Sequence, residues 1–264
     1  MKGRRIILTG ASEGIGRALA LALAAHGARL ALAARDRDRL ESLAQECRGR
    51  SAEALAVPTD VTNQQDLEWL VSETLKGFGG IDVVVHNAGI TMWSRFDALT
   101  DLSIFERLME VNYFAPVRLT QLALPHLKRS RGLIVAVASL AGLTGVPERS
   151  GYAASKHAMI GFFDSLRIEL AGSGVDVSVI APDFVVSEIH KRAIGPDGEP
   201  LGASPMVQSK IMSAEACAAR IVRAMQRRQR QLLMSTRGKL GQWLKVIAPA
   251  VIDRMAAKAI RQRH

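Results

Sequence analysis

Short apolar runs alternate with longer amphipathic stretches along this chain. Ile6–Thr9, Leu30–Ala34, Ala54–Val57, Ile81–Val85, Leu133–Ala138 and Val175–Ala181 are mostly β-branched or aliphatic. Continuous apolar runs of this length suit strands buried on both faces, as in a parallel sheet. Between them, residues 14–26, 37–48, 63–76, 101–128 and 152–171 read as helices. The alternation predicts an α/β fold: one doubly wound, Rossmann-type domain with a parallel sheet of about seven strands, right-handed crossovers and helices on both faces. Residues 184–212 interrupt the rhythm with Gly195, Pro196, Gly198, Pro200, Gly202 and Pro205. A connection that long predicts a lid over a binding site. The chain thus divides into a domain over 1–235, with a lid at 184–212, and a C-terminal extension over 236–264.

The first apolar run leads into Thr9-Gly10-Ala11-Ser12-Glu13-Gly14-Ile15-Gly16, which opens a helix. Glycines there let the backbone turn tightly and approach a pyrophosphate lying on the positive helix N-terminus. The second run ends Ala33-Ala34-Arg35-Asp36. An NAD site places a carboxylate at such a strand end to hold the ribose 2′-hydroxyl. Ala34 takes that position and Arg35 follows, so a guanidinium is placed to pair with the 2′-phosphate of NADP(H). A solvated Arg35 that merely starts the next helix is the alternative, and Asp36 takes the ribose role if the register slips.

Tyr152 and Lys156 lie one helical turn apart on one face. A free phenol titrates near ~10, and lowering that by about three units takes roughly 4 kcal/mol. An ammonium at ~4 Å in an effective dielectric near 20 supplies about that much. Ser139 ends the fifth apolar run and faces the same carboxyl edge of the sheet.

Together with Asp60-Val61, Asn87-Ala88-Gly89 and Asn112, these residues resemble the short-chain dehydrogenase/reductase family, in its three-glycine form with a Ser-Tyr-Lys site, over roughly residues 4–190. The resemblance implies an NAD(P)-dependent oxidoreductase that interconverts a ketone and a secondary alcohol by hydride transfer. It implies that Ser139 orients the substrate oxygen, Tyr152 exchanges a proton with it, Lys156 holds the ribose hydroxyls and tunes the phenol, and Asn112 positions a water linking Lys156 to solvent. It places Gly10, Ser12, Gly14, Ile15, Gly16, Arg35, Asp60, Val61, Asn87, Ala88, Gly89, Tyr152 and Lys156 around the cofactor. Pro182-Asp183-Phe184-Val185-Val186-Ser187 stands where the family has Pro-Gly-x-x-x-Thr, with Ser187 keeping a hydroxyl, so Pro182, Val185 and Ser187 are expected beside the nicotinamide. Three positions depart from the family: His86 where an Asn is usual, Asp183 in place of Gly, and Glu13 in the glycine loop. Phe184, Val185, Val186, Ile189 and Met206 in the lid point to a hydrophobic, lipid-like substrate. A nucleotide-binding sensor or scaffold on the same fold is the competing reading, and a lyase or isomerase a third; the intact Ser139, Tyr152 and Lys156 set argues against both.

Composition narrows the setting. Cys47 and Cys217 are far apart with no redox or ligand spacing, which suits two buried thiols in a reducing, cytoplasmic compartment. The six histidines show no metal-binding spacing, so no metal is expected. No apolar run has the form of a secretory signal or a spanning helix. Net charge is +10. Twelve Lys/Arg and one acidic residue fall in 217–264, giving +11 there and −1 before it. Leu244, Ile247, Val251, Met255 and Ala259 form one helical stripe, with Trp243 at one end. That profile suits peripheral attachment to an anionic membrane surface. Packing on the chain's own core or on a partner subunit, in a dimer or tetramer, accounts for it equally. Sparse aromatics argue against nucleic acid.

Overall fold

In the computed structural model, which describes residues 1–204 and 211–261, seven strands form one parallel sheet. They are β1 (Arg5–Thr9), β2 (Arg29–Ala34), β3 (Glu53–Pro58), β4 (Val83–His86), β5 (Leu133–Val137), β6 (Asp176–Ala181) and β7 (Gln231–Leu233), in the order β3-β2-β1-β4-β5-β6-β7. The single doubly wound domain is as the sequence predicts. Side-chain alternation splits the core into two layers. Ile6, Leu8, Leu30, Leu32, Val85 and Val135 face one side, with α1 (Gly14–Ala24), α2 (Arg37–Arg48) and α7 (Ala214–Gln226). Ile7, Ala31, Val84, Ile134 and Ala136 face the other, with α3 (Gln64–Phe78), α5 (Ala115–Ser130) and α6 (Ser150–Glu169). Cys47 and Cys217 are both buried, and burial pushes their thiols up, to about 11 and about 12.

One expectation needs correction, and one helix was not expected. The helix expected over 101–128 is not continuous: α4 (Ser103–Met109) passes through a π-helical turn, Glu110–Phe114, into α5. Pro116 carries no N–H to give the Asn112 carbonyl four residues back, and its ring crowds that carbonyl, so the ladder widens there. The amphipathic helix α7 lies beyond the irregular region 184–212 and is not among the expected helices. Ser213 caps it, accepting from the Ala216 N–H at 3.1 Å, and Cys217, Ala218, Ile221 and Val222 are buried.

The C-terminal extension forms two helices, α8 (Thr236–Ile247) and α9 (Pro249–Arg261), with Pro249 opening the second. Among the described residues no helix is long and apolar enough to cross a membrane. Met206 lies outside the described residues, as do the side chains of Met255 and Ala259.

Candidate active site

The strand order reverses between β1 and β4, and a cavity of about 1830 Å³ opens outside their carboxyl ends. Thr9 joins these ends: its hydroxyl accepts the N–H groups of Asn87 and Ala88, each at 3.1 Å. The Asn87 amide in turn donates to the carbonyls of Thr9 and Gly10, both at 3.0 Å. Gly10 and Gly14 adopt left-handed backbone, with φ of +64° and +50°. A Cβ on Gly16 would fall inside the van der Waals envelope of the Gly10 carbonyl. Gly10, Gly14 and Gly16 therefore leave a cradle of exposed backbone opening onto the α1 N-terminus, and it fits a dinucleotide pyrophosphate.

At the adenosine end, β2 stops at Ala34, which pairs with Pro58, and Arg35 lines the cavity. Asp36 caps α2 by accepting from the Arg39 N–H at 3.0 Å. Asp60 is not a helix cap, since Asn63 caps α3. The Asp60 carboxylate accepts from the Thr62 N–H at 2.9 Å and its hydroxyl at 2.8 Å. Burial raises this carboxyl, but the two Thr62 bonds and the nearby Arg35 charge outweigh it and hold it below the ordinary carboxylate range. Glu13 forms ion pairs with Arg192 and, at 3.6 Å, with Arg39, so this departure ties the glycine loop to α2 and to the 184–212 region.

At the opposite end, Ser139, Tyr152 and Lys156 line the same cavity. The Ser139 hydroxyl accepts from the Ala141 N–H at 3.2 Å, which leaves its own proton to donate. Lys156 is buried; its ammonium donates to the Val137 carbonyl at 3.1 Å and lies 5.9 Å from the Tyr152 ring centroid. Burial holds the Lys156 ammonium below its ordinary value, Tyr152 opposes that shift, and Arg149 adds to it.

Arg149 is a site residue that sequence reading missed. Its buried guanidinium sits over the Tyr152 ring at 4.4 Å, beside the Trp93 and Phe184 rings at 5.3 and 5.6 Å, and donates to the Thr91 hydroxyl at 2.6 Å. Its signal was present: a cation at a helix N-terminus opposes the helix dipole, and residue 149 lies three positions before Tyr152. The preceding Glu148 is held at φ +63°, with its carboxylate accepting from the Trp93 indole N–H at 3.1 Å. His190 was also missed. It is buried beside Phe184 and shares a hydrogen bond with the Val185 carbonyl at 3.2 Å. Burial first, then Arg149, holds the His190 ring below its ordinary value, against the opposing Val185 bond.

Of the other expected residues, Ser12, Ile15, Val61, Gly89, Pro182, Val185 and Ser187 line the cavity, but Gly14 and Asn112 do not. Gly14 closes against the Ser187 side chain. The buried Asn112 carboxamide accepts from the Ile90 N–H at 3.0 Å and donates to the Ile90 carbonyl and the Ser155 hydroxyl, each at 2.9 Å. It thereby clamps the strand leaving β4 to α6. Asp183 needs no glycine, since its φ is not positive; its carboxylate accepts from the Phe184 N–H at 2.9 Å. His86 is fully buried, bonded to the Thr120 hydroxyl at 2.9 Å, and burial pushes its pKa down to about 3. Among the described residues no group of His, Cys, Asp and Glu is arranged to hold a metal.

The short chain dehydrogenase family profile matches residues 4–195. The chain is 35% identical to 11-beta-hydroxysteroid dehydrogenase 1A of Arabidopsis thaliana, over 95% of this chain and 74% of that protein. It is 34% identical to dehydrogenase/reductase SDR family member 7B of Bos taurus, over 98% of this chain and 82% of the relative. An alcohol dehydrogenase from the archaeon Thermococcus sibiricus, solved in complex with 5-hydroxy-NADP, superposes with a TM-score of 0.75 at 29% identity, covering 88% of this chain and 94% of that one. The chain belongs to the short-chain dehydrogenase family and is an NAD(P)-dependent oxidoreductase acting on CH–OH groups.

Proposed function

We propose that the chain is an NADP(H)-preferring carbonyl reductase that interconverts a hydrophobic, lipid-like ketone and its secondary alcohol. The observation that carries this reading is the convergence of Ser139, Tyr152 and Lys156 on one end of a cavity whose other end is the glycine cradle and Arg35. NADP preference is supported by Ala34 at the strand end, Arg35 facing the cavity, and Asp36 committed to capping α2. Trp93, Leu143, Phe184, Ile189, Ile194 and Leu244 line the remaining wall and favour an apolar substrate.

The bound dinucleotide supplies the hydride chemistry. The Ser139 hydroxyl donates to the substrate oxygen and orients it. The Tyr152 hydroxyl gives that oxygen a proton in reduction and takes it back in oxidation. Lys156 and Arg149 set positive charge beside the Tyr152 ring, where the proton is exchanged. Asn112 acts behind them as a positioning residue. Residues 1–235 form the catalytic unit with 184–212 as its lid. The basic extension over 236–264 holds the protein to the cytoplasmic face of an anionic membrane, and the protein works as a homo-oligomer. The deciding experiment follows NADPH oxidation over ketones graded by chain length, with NADH in parallel. Rising kcat/KM with chain length and a clear NADPH preference are expected; no oxidation with any ketone overturns the reading.

A further inference from the structure

Helix α8 meets different surroundings on its two faces. Inward, it rests on the turn after Ser139: a Cβ on Gly238 would lie 2.5 Å from Leu140 Cδ2, and the Lys245 ammonium donates to the Leu143 carbonyl at 2.8 Å. Gly241 and Leu244 line the cavity from this helix, and Ile252 lines it from α9. Outward, the same helix leaves Leu240, Trp243, Val246 and Ile247 exposed at 67%, 70%, 78% and 77%. Leu240 belongs to both sets, since it also lines the cavity. Leu240 therefore links the exposed outer face of α8 to the lining of the site.

A continuous exposed apolar patch marks a binding surface. Charge selects what binds: residues 236–264 carry seven Lys/Arg and one Asp. Exposed apolar side chains on a segment of net positive charge suit the interfacial layer of an anionic bilayer, where the apolar groups leave water and the charge is attracted to phosphate.

We propose that α8 is the membrane-facing gate of the substrate cavity. Its outer face inserts into an anionic bilayer surface, and an amphiphilic ketone passes from the lipid along Leu240, between α8 and the Leu140–Leu143 turn, to Tyr152 without crossing water. This rests on the ketone and membrane readings above and adds the inserting face and the route.

The test uses the full-length protein with vesicles of phosphatidylcholine alone or mixed with phosphatidylglycerol, both with brominated acyl chains. Wild-type tryptophan fluorescence should be quenched only by the mixed vesicles. Trp243→Phe, which retains Trp69 and Trp93, should lose that quenching while still sedimenting with them. Sedimentation should weaken as salt rises. The Trp243→Glu/Ile247→Glu double variant should lose sedimentation and about tenfold or more in kcat/KM on a long-chain ketone carried in mixed vesicles. Its kcat/KM on a short water-soluble ketone should stay within about a factor of two of wild type. Equal losses on both ketones would make α8 only a wall of the site and overturn the gate. So would absent quenching, or a double variant that changes oligomeric state while still sedimenting. Absence of turnover on either ketone with quenching intact would overturn the ketone reading and the route while supporting the surface.

Discussion

The glycine loop and helix α8 both close the cavity by packing a glycine against a neighbouring turn, but the partners differ. Gly16 abuts the Gly10 carbonyl, backbone against backbone, inside a loop pinned by Thr9 and Asn87. Gly238 abuts the side chain of Leu140, which has rotamers to spare. The glycine contact at the cofactor end is between main-chain atoms and has one shape. The substrate end is defined by side chains on a helix with an exposed outer face, and it can adapt. Cofactor binding should therefore tolerate little change, and substrate range should be set at α8 and the lid.

The largest expected effect breaks neither end but the chemistry between them. Tyr152→Phe should lower turnover by ~10²–10⁴ while the NADPH dissociation constant barely moves; activity within a few-fold of wild type would remove Tyr152 from proton transfer. Arg35→Ala should raise the KM for NADPH by roughly 10–150-fold, a lost charge contact of about 1.5–3 kcal/mol, with far less effect on NADH. Equal effects on the two cofactors would reduce Arg35 to a helix-start residue. Gly16→Ala should destabilise by ~1–3 kcal/mol or more, because a carbonyl in a pinned loop has nowhere to go, and should abolish cofactor binding. Thermal unfolding with and without NADPH measures both.

His86 tests how well the first region excludes water. Its folded pKa is near 3, below the ordinary 6.5, so the unfolded chain binds the extra proton. Its contribution is complete above pH 6.5 and is lost as pH falls toward 3, at up to ~1.4 kcal/mol per unit. The stability difference between wild type and His86→Asn should shift with that slope between pH 6.5 and 4.5; a flat difference would mean that the ring is already charged or solvated. The smallest effect is expected at Gly238→Ala. Helix propensity gains about 1 kcal/mol and crowding of Leu140 takes back a similar amount, so stability should change by less than ~1 kcal/mol while the KM for a bulky ketone moves. A loss as large as that of Gly16→Ala would erase the contrast between the two regions.

Most of the first region was legible in the sequence. Buried parallel strands must be apolar on both faces, so β1 to β6 stand out as runs, and a glycine required by positive φ or close approach leaves a visible spacing. The π-helical turn at Glu110–Phe114 was not legible, because helical periodicity on both sides of it reads as one helix and a proline such as Pro125 also sits within regular helix. Helix α7 was obscured because its signal begins directly after an irregular segment.

What the sequence determined by itself is therefore local: the strand–helix alternation, the glycine cradle, and the Ser139, Tyr152 and Lys156 set at one sheet edge. Those follow from backbone geometry and the period of burial, which each segment carries on its own. Only the tertiary structure decided what is non-local. It brought Arg149 to Thr91, Trp93 and Phe184, turned the Asn112 carboxamide to Ile90 and Ser155, and joined Glu13 to Arg192. It also laid α8 on the turn beside Ser139 while leaving Trp243 and Ile247 facing out. Such contacts join segments as far apart as Glu13 and Arg192, and no periodicity along the chain records which side chain a distant element will meet.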